Sequence, residues 1–235
     1  MKIKAIFFDL DGTLLPMNQD LFINSYFTRL AAKMSNYGYE PKRFTETVWN
    51  GTVAMIKNNG LKTNEEVFWD VFISEYGDKA KNDIMHFEEF YKNEFSEIQK
   101  VCGYNPEAKK LVSELKSRGY RIVLATNPLF PQIATAQRIS WAGLDKNDFE
   151  ICTTYENSHH SKPFLEYYED IASELGVSPS ECLMVGNDVS DDMTAEKLGM
   201  KVFLLTDCLI NKKDCDISHL PQGNFNDLVK YIDSL

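Results

Sequence analysis

The sequence predicts an α/β fold: a three-layer, Rossmann-like core with a parallel sheet, plus an inserted α-helical segment. In the second half of the chain, short apolar runs rich in β-branched residues alternate with amphipathic stretches, which is the pattern of βαβ units. Between about residues 19 and 101, apolar residues recur at helical spacing instead. One predicted strand precedes this helical stretch and the others follow it, so we expect the stretch to be an insertion into the α/β part.

The first predicted strand covers residues 2–10, an apolar run that is followed by the turn-forming pair Asp11–Gly12. The helical stretch is predicted to contain about four helices. Thr63 and Glu66 have the spacing of a capping box and mark the start of one of them. Its aromatic residues are interpreted as core rather than as a ligand cage. They include Phe68, Trp69, Phe87, Phe90 and Tyr91.

Strands and helices are predicted to alternate after Gly103. Asn105 and Pro106 have the residue types of a helix N-cap and first helical position, and that helix is expected to stop at Gly119. The remaining predicted strands are 121–126, 149–154, 182–186 and 201–206, and the remaining predicted helices are 131–141, 163–175, 191–198 and 226–234. We therefore predict an α/β core made of residues 1–16 and 103–235 and a helical cap made of residues 17–102.

Composition excludes several classes of partner. The formal net charge is -10, and an acidic surface repels nucleic acid and anionic lipid. The five cysteines are scattered and form no C-x-x-C pair, which is typical of reduced thiols. No apolar stretch approaches membrane-spanning length, and acidic residues interrupt the N-terminal apolar run too early for a signal peptide. We expect a cytoplasmic protein, and the sequence leaves its oligomeric state open.

Polar residues follow the predicted strands at the edge where α/β proteins bind ligands. Asp9 and Asp11 follow the first strand, and Thr126 and Asn127 end the second. A group of acids follows the fourth strand, and Lys162 stands before a predicted helix. Carboxylates that converge raise one another's pKa, and a divalent cation such as Mg²⁺ relieves this conflict.

These residues fall in four short motifs, which are Asp9-Leu10-Asp11-Gly12-Thr13-Leu14, Thr126-Asn127, Lys162-Pro163, and the segment from Val185-Gly186 to Asp192. In their order and in the elements they follow, they resemble the four motifs of the haloacid dehalogenase-like hydrolase superfamily. The resemblance covers residues 9–192, and the first motif is its most specific part. The helical insertion resembles the cap that this family places between the first and second motifs, which selects the substrate.

The resemblance implies a Mg²⁺-dependent phosphatase that hydrolyses a small phosphorylated metabolite, a phosphomonoester. Asp9 would be the nucleophile that forms an aspartyl-phosphate, and Asp11 would be the general acid and then the general base. Asp11 also favours phosphoryl chemistry, because dehalogenases of this family lack an acid at that position. Thr126, Asn127 and Lys162 would bind the phosphoryl oxygens.

The resemblance also implies a Mg²⁺ site made of the Asp9 carboxylate, the Asp11 backbone carbonyl and an acid of the fourth motif. That motif departs from the family's usual Gly-Asp pair, because Gly186 is followed by Asn187. We assign the third ligand to Asp188. The amide oxygen of Asn187 stays open as the alternative.

Three further polar residues lie in or near these motifs. Asp192 is expected to orient Lys162 or a metal-bound water. His159 and His160 are interpreted as exposed loop residues, with substrate or metal binding as the alternative.

Two other functions stay open. A phosphomutase acting on a sugar phosphate shares these motifs and differs mainly in what the cap admits. A non-catalytic phospho-acceptor or binding module, such as a phosphorylated receiver domain, also has acids at a strand end, a threonine and a lysine. The large insertion and the spacing of Asp9 and Asp11 count against this second alternative.

Overall fold

The computed structural model describes residues 2–235, and within this range six parallel strands form one sheet in the order β3-β2-β1-β4-β5-β6. This confirms the predicted α/β class. The strands are β1 (Ala5–Phe8), β2 (Arg121–Leu124), β3 (Ile151–Cys152), β4 (Cys182–Gly186), β5 (Lys201–Leu205) and β6 (Gln222–Gly223).

The central strand β1 is buried on both faces, which explains its uninterrupted apolar sequence. Side chains alternate along a strand, so Ile6 and Phe8 pack into one core cluster and Ala5 and Phe7 into another. Helices cover both faces and make the three layers. These helices are α5 (Pro106–Ser117), α6 (Gln132–Trp141), α7 (Leu165–Leu175) and α8 (Phe225–Asp233).

The helical block, residues 19–101, holds the four helices that the sequence predicts. The Thr63 capping box is present, and the Asn18 side chain accepts a hydrogen bond from the Leu21 N–H at the start of the first helix of the block. The interior of the block is apolar and continuous with the core on one sheet face. Its elements are α1 (Gln19–Ser35), α2 (Pro41–Ile56), α3 (Asn64–Tyr76), α4 (Asp78–Asn93) and a 3₁₀ helix (Phe95–Val101).

The block is joined to the rest of the protein at more than its two chain crossings. At the crossings, the Gly103 N–H donates to the Pro16 carbonyl at 2.6 Å. Farther away, the fully buried Asn64 donates its backbone N–H to the Ser158 carbonyl at 2.8 Å. Its side-chain amide donates to Ser161 Oγ at 3.1 Å. The first residue of α3 is therefore hydrogen-bonded into the α/β core.

Two predicted elements differ in the structure, and one strand is additional to those expected. A turn and a 3₁₀ helix (Met193–Leu198) replace the predicted helix 191–198, because Asp188 Oδ1 accepts the N–H groups of Ser190 and Asp191 and competes with helix formation. Strand 149–154 shortens to the two residues that pair with β2. The edge strand β6 was not predicted.

None of the helices described for residues 2–235 is long and apolar enough to cross a membrane.

Candidate active site

The sheet brings the first, second and fourth motifs to one edge. Asp9 follows β1, Thr126 lies just beyond the neighbouring strand β2, and Asn187 follows β4 on the other side. The Asp9 N–H donates to the Val185 carbonyl at 2.9 Å, which fixes the first motif beside the fourth. From β1, the chain adds β2 and β3 on one side of the sheet and then β4, β5 and β6 on the other. Open α/β sheets bind ligands at the carboxyl end of the strands where this change of side occurs.

Lys162 holds two of these motifs together. Its side chain is 1% exposed, and Nζ donates to Asp9 Oδ1 at 2.8 Å and to Asp192 Oδ1 at 2.6 Å. Burial by itself lowers the pKa of this amine, but Asp192 and Asp9 raise it well above its usual value. Lys162 is therefore a permanent positive charge beside Asp9. Asp192 thus contacts Lys162, the residue that it is expected to orient.

Asp11 is paired with Arg138, which the sequence analysis did not identify. Arg138 lies on α6, is 1% exposed, and binds Asp11 Oδ2 through Nη1. Its guanidinium also lies 4.5 Å from the centre of the Phe130 ring. Burial raises the pKa of Asp11, Arg138 opposes this rise, and the negative charge of Asp9 adds to it. The net result is a carboxyl group that holds its proton more firmly than an ordinary aspartic acid.

Gly12 allows the first motif to pack against the fourth. Its φ is +85°, and an added Cβ would lie 2.3 Å from Asn187 Nδ2. Asn187 is buried, and its amide oxygen accepts a hydrogen bond from Thr13 Oγ1 at 3.0 Å. Its amide nitrogen donates to the Cys208 carbonyl at 2.7 Å. Both ends of the Asn187 amide are thus used to bind neighbouring loops.

Three acids of the fourth motif occupy different positions. The Asp192 carboxylate accepts the Asp188 N–H at 3.0 Å. Asp188 is partly exposed, and its Oδ1 caps the following turn. Asp191 Oδ2 accepts a hydrogen bond from Asn127 Nδ2 at 3.3 Å. Burial and the nearby charge of Asp188 raise the pKa of Asp191 to about 6. Asp191 is one of the acids that follow the fourth strand, but the motifs assign no role to it.

The second motif lies beside this acidic group, whereas the two histidines do not. Thr126 is buried, and its carbonyl accepts the Tyr167 hydroxyl at 2.8 Å. Asn127 Oδ1 is buried without a hydrogen-bond partner among residues 2–235. His159 is exposed, and His160 Nδ1 lies 2.7 Å from Asp170 Oδ2. Neither histidine lines the cavity described next. The prediction of an exposed loop residue holds for His159 only, because the His160 side chain is 18% exposed.

A cavity of about 760 Å³ joins the motif residues to the helical block. All the motif residues to which the sequence assigns a catalytic, phosphate-binding or metal-binding role line it, so the structure brings them together in one place. One part of its wall is polar and is formed by Asp9, Asp11, Thr126, Asn127, Lys162, Asn187, Asp188, Asp191 and Asp192. Another part is aromatic and is formed by Phe22, Tyr26, Phe27, Trp49, Phe68, Trp69, Phe87, Tyr91, Phe130 and Tyr155.

The polar wall has the chemistry of a Mg²⁺ site. Among the described residues, no three His, Cys, Asp or Glu side chains form a ready metal cage. Mg²⁺ does not require one, because it takes one or two carboxylates and completes its shell with water and substrate oxygens. Five carboxylates line this wall, and within residues 2–235 the buried cations are Lys162 and Arg138. The excess negative charge and the raised pKa of Asp191 therefore fit a divalent cation.

Comparison with known proteins agrees with this geometry. Residues 3–199 match the family of hydrolases described as haloacid dehalogenase-like hydrolase. The chain belongs to this family. Membership confirms the resemblance noted from the four motifs, and it makes the protein a haloacid dehalogenase-like hydrolase.

Named relatives in the family include phosphatases. The chain is 26% identical over 201 residues to pyrophosphatase PpaX of Bacillus cereus (strain AH820), covering 86% of this chain and 82% of the relative. It is 27% identical over 200 residues to pyrophosphatase PpaX of Bacillus velezensis, covering 85% and 82%.

Solved structures share the fold across nearly the whole chain. A predicted phosphoglycolate phosphatase from Haemophilus somnus 129PT has a TM-score of 0.61 and 19% identity, with 98% of each chain covered. A 2-haloacid dehalogenase from Pseudomonas syringae pv. Tomato DC3000 has a TM-score of 0.66 and 17% identity, with 99% of this chain and 98% of the other covered. At these identities the likeness concerns the fold alone.

Proposed function

We propose that the protein is a Mg²⁺-dependent phosphatase that hydrolyses a small phosphomonoester through an aspartyl-phosphate on Asp9. The observation that carries the proposal is the Asp9 carboxylate in the cavity wall, 2.8 Å from the buried Lys162 amine, with Asp11 in the same wall. The names of the pyrophosphatase relatives support phosphoryl chemistry. The presence of an acid at Asp11 favours a phosphatase over a dehalogenase.

Each residue then has a defined task. Lys162 binds Asp9 Oδ1, so we assign the attack on phosphorus to Oδ2. The P–O bond to the leaving alcohol breaks, and Asp11 gives its proton to that oxygen. Asp11 then removes a proton from the water that attacks phosphorus, and the Asp9–phosphorus bond breaks to release phosphate. Burial raises the pKa of Asp11, which is the direction that a proton donor requires.

The phosphoryl oxygens would be bound by the Thr126 hydroxyl, the Asn127 backbone N–H and Lys162. We assign the Mg²⁺ site to the Asp9 carboxylate, the Asp11 backbone carbonyl and Asp188. Asn187 is the weaker candidate, because its amide already bonds to Thr13 and Cys208. When bound, Mg²⁺ supplies positive charge that offsets the charge of the carboxylates and of the phosphoryl group.

We also assign the domains, the partner and the location of the protein. Residues 17–102 would act as the cap over the site, joined to a catalytic core of residues 1–16 and 103–235. The net charge of -10 supports a small metabolite, rather than nucleic acid or membrane, as the partner. The five free cysteines support a cytoplasmic location.

The proposal is tested with the purified protein and p-nitrophenyl phosphate. Turnover should require Mg²⁺, stop with EDTA, and be abolished in Asp9→Asn, because the amide cannot replace the carboxylate as nucleophile. Failure to hydrolyse any ester of a broad phosphate panel with Mg²⁺ present would exclude a phosphatase. Isomerised sugar phosphate without release of phosphate would identify the phosphomutase alternative instead.

A further inference from the structure

Some rings of the aromatic cavity wall belong to the buried core, but others stay open to the cavity. Phe44, Phe72 and Phe90 fill that core and are fully buried. Trp49, by contrast, is 51% exposed, and Phe27 is only partly buried, yet both line the same cavity as Asp9. Large apolar rings that stay open to a cavity, when other rings of the same element pack completely, indicate a surface that binds something apolar.

The open rings come from three helices of the block and from the segment before α6, and they all line the same cavity. Phe27 lies on α1 and Trp49 on α2, with ring centres 6.3 Å apart. Trp69 lies on α3, and Phe130 just precedes α6; both are partly buried and line the cavity. The apolar surface is therefore a shared feature of the helical block and the catalytic rim, continuous with the polar wall that holds Asp9.

Buried positive charge in this region is already committed. Lys162 is bound to Asp9 and Asp192, and Arg138 is bound to Asp11. Other lysines line the cavity but are exposed, and the wall also contains three glutamates. These lysines are Lys92, Lys146 and Lys212, and the glutamates are Glu65, Glu88 and Glu156. Within residues 2–235, a second anionic group on the substrate would thus meet no uncommitted buried cation.

We propose that the substrate is a phosphomonoester of a neutral, largely apolar alcohol, whose alkyl or aryl group occupies the aromatic wall around Phe27, Trp49 and Trp69. This inference rests on the proposed phosphatase function and specifies its substrate class. A volume of about 760 Å³ accommodates a group far larger than inorganic pyrophosphate or glycolate. A leaving group with a second negative charge is disfavoured by both the apolar and the acidic parts of the wall.

The test is a series of straight-chain alkyl phosphates from ethyl to hexyl phosphate, with Mg²⁺ and release of phosphate as the readout. Leaving-group chemistry is nearly constant along this series, so changes in kcat/KM report contact with the chain. Burial of a methylene group is worth up to about fourfold in binding. We expect kcat/KM to rise by at least about tenfold from ethyl to hexyl phosphate, and 2-phenylethyl phosphate to exceed ethyl phosphate similarly.

Variants locate the effect. Phe27→Ala and Trp49→Ala should each lower the ratio of kcat/KM for hexyl over ethyl phosphate by about fivefold. Tyr104→Ala is the matched control, because Tyr104 is an exposed aromatic residue that does not line the cavity, and it should leave the ratio unchanged. The alkyl phosphate series is measured on the unmodified protein. The proposal can therefore be decided even if one of the variants is unstable.

The outcomes separate this inference from the proposed function. The substrate class is overturned if kcat/KM is equal along the series, or if pyrophosphate or phosphoglycolate is preferred over hexyl phosphate. If this turnover is lost in Asp9→Asn, the phosphatase proposal still holds. Absence of turnover with every ester, including p-nitrophenyl phosphate, overturns the phosphatase and this inference with it. If kcat/KM rises along the series, and Trp49→Ala lowers the ratio for hexyl over ethyl phosphate by about fivefold, both the phosphatase and the substrate class are supported.

Discussion

Lys162 at the edge of the sheet and Phe72 inside the helical block are both fully buried, but different forces hold them. Lys162 has two partner carboxylates at 2.8 and 2.6 Å. Phe72 is surrounded by six aromatic rings with centres between 5.0 and 6.0 Å away. These rings belong to Tyr39, Phe44, Phe68, Trp69, Tyr76 and Phe87.

The difference predicts how each region responds to change. Loss of one group in a buried ion pair leaves the other charge without compensation, so the cost is large and specific to that residue. Packing energy is spread over many weak contacts, so a similar apolar residue loses little of it. The edge of the sheet should therefore be sensitive to single atoms, whereas the interior of the block should tolerate conservative changes.

The largest expected effect is on catalysis at the sheet edge. Asp11→Asn should lower kcat by about 10²- to 10⁴-fold, because the amide can neither donate the proton to the leaving oxygen nor accept one from water. Steady-state kinetics with p-nitrophenyl phosphate measures this, and Asp70→Asn, an exposed carboxylate of the helical block, serves as the control. A decrease of less than tenfold would mean that another group moves the proton.

Lys162→Met should lower the free energy of unfolding by about 3–5 kcal/mol, because Asp9 and Asp192 would be left buried without their cation. Urea denaturation measures the change. The exposed Lys197→Met is the matched control and should change stability by less than about 0.5 kcal/mol. Similar values for the two variants would contradict a structural role for the buried ion pairs.

The next effect concerns the metal. Asp188→Ala should raise the Mg²⁺ concentration for half-maximal activity by at least about tenfold, because a ligand is lost. Asn187→Ala should raise it less and should instead cost about 1–3 kcal/mol of stability, since Thr13 and Cys208 lose a hydrogen-bond partner. Titration with Mg²⁺ and thermal melting distinguish the two, and the reverse order would assign the metal to Asn187.

The smallest effect is expected inside the helical block. Phe72→Leu should lower the free energy of unfolding by about 1 kcal/mol, because neighbouring rings keep most of their contacts. Since Phe72 does not line the cavity, kcat/KM should stay within twofold of the unmodified protein. A large loss of activity in a folded Phe72→Leu variant would show that packing inside the helical block affects the residues at the edge of the sheet.

Local sequence signals were sufficient for much of the fold and for the motif positions. The apolar run of β1 and the Thr63–Glu66 capping box depend on neighbouring residues, and both are present as predicted. Asp9 and Lys162 were found because they belong to recurrent motifs, and the structure brings them within 2.8 Å. Their chemical tasks stay predictions until the kinetic tests above are made.

Other features depend on contacts that are distant in sequence. Arg138 pairs with a residue 127 positions away, so its partner could not be read from the chain. A signal was present, however, because Arg138 shares the buried face of α6 with Ala134, Thr135 and Ile139, and a charged residue on such a face needs a buried partner. The aromatic residues of the block were interpreted as core. Phe90 is core and does not line the cavity, but Phe68, Trp69, Phe87 and Tyr91 all line it.

The hydrogen bonds of Asn64 have a consequence for how the protein opens. A block held only at its two chain crossings could swing about them, but here the first residue of α3 must first release Ser158 and Ser161. The backbone amide of Asn64 is therefore shielded from deuterium exchange until that release occurs. The deuterium exchange rate of this amide should therefore report how often the block opens and exposes Asp9. The rate should decrease when a bound ligand keeps the helices closed over the sheet.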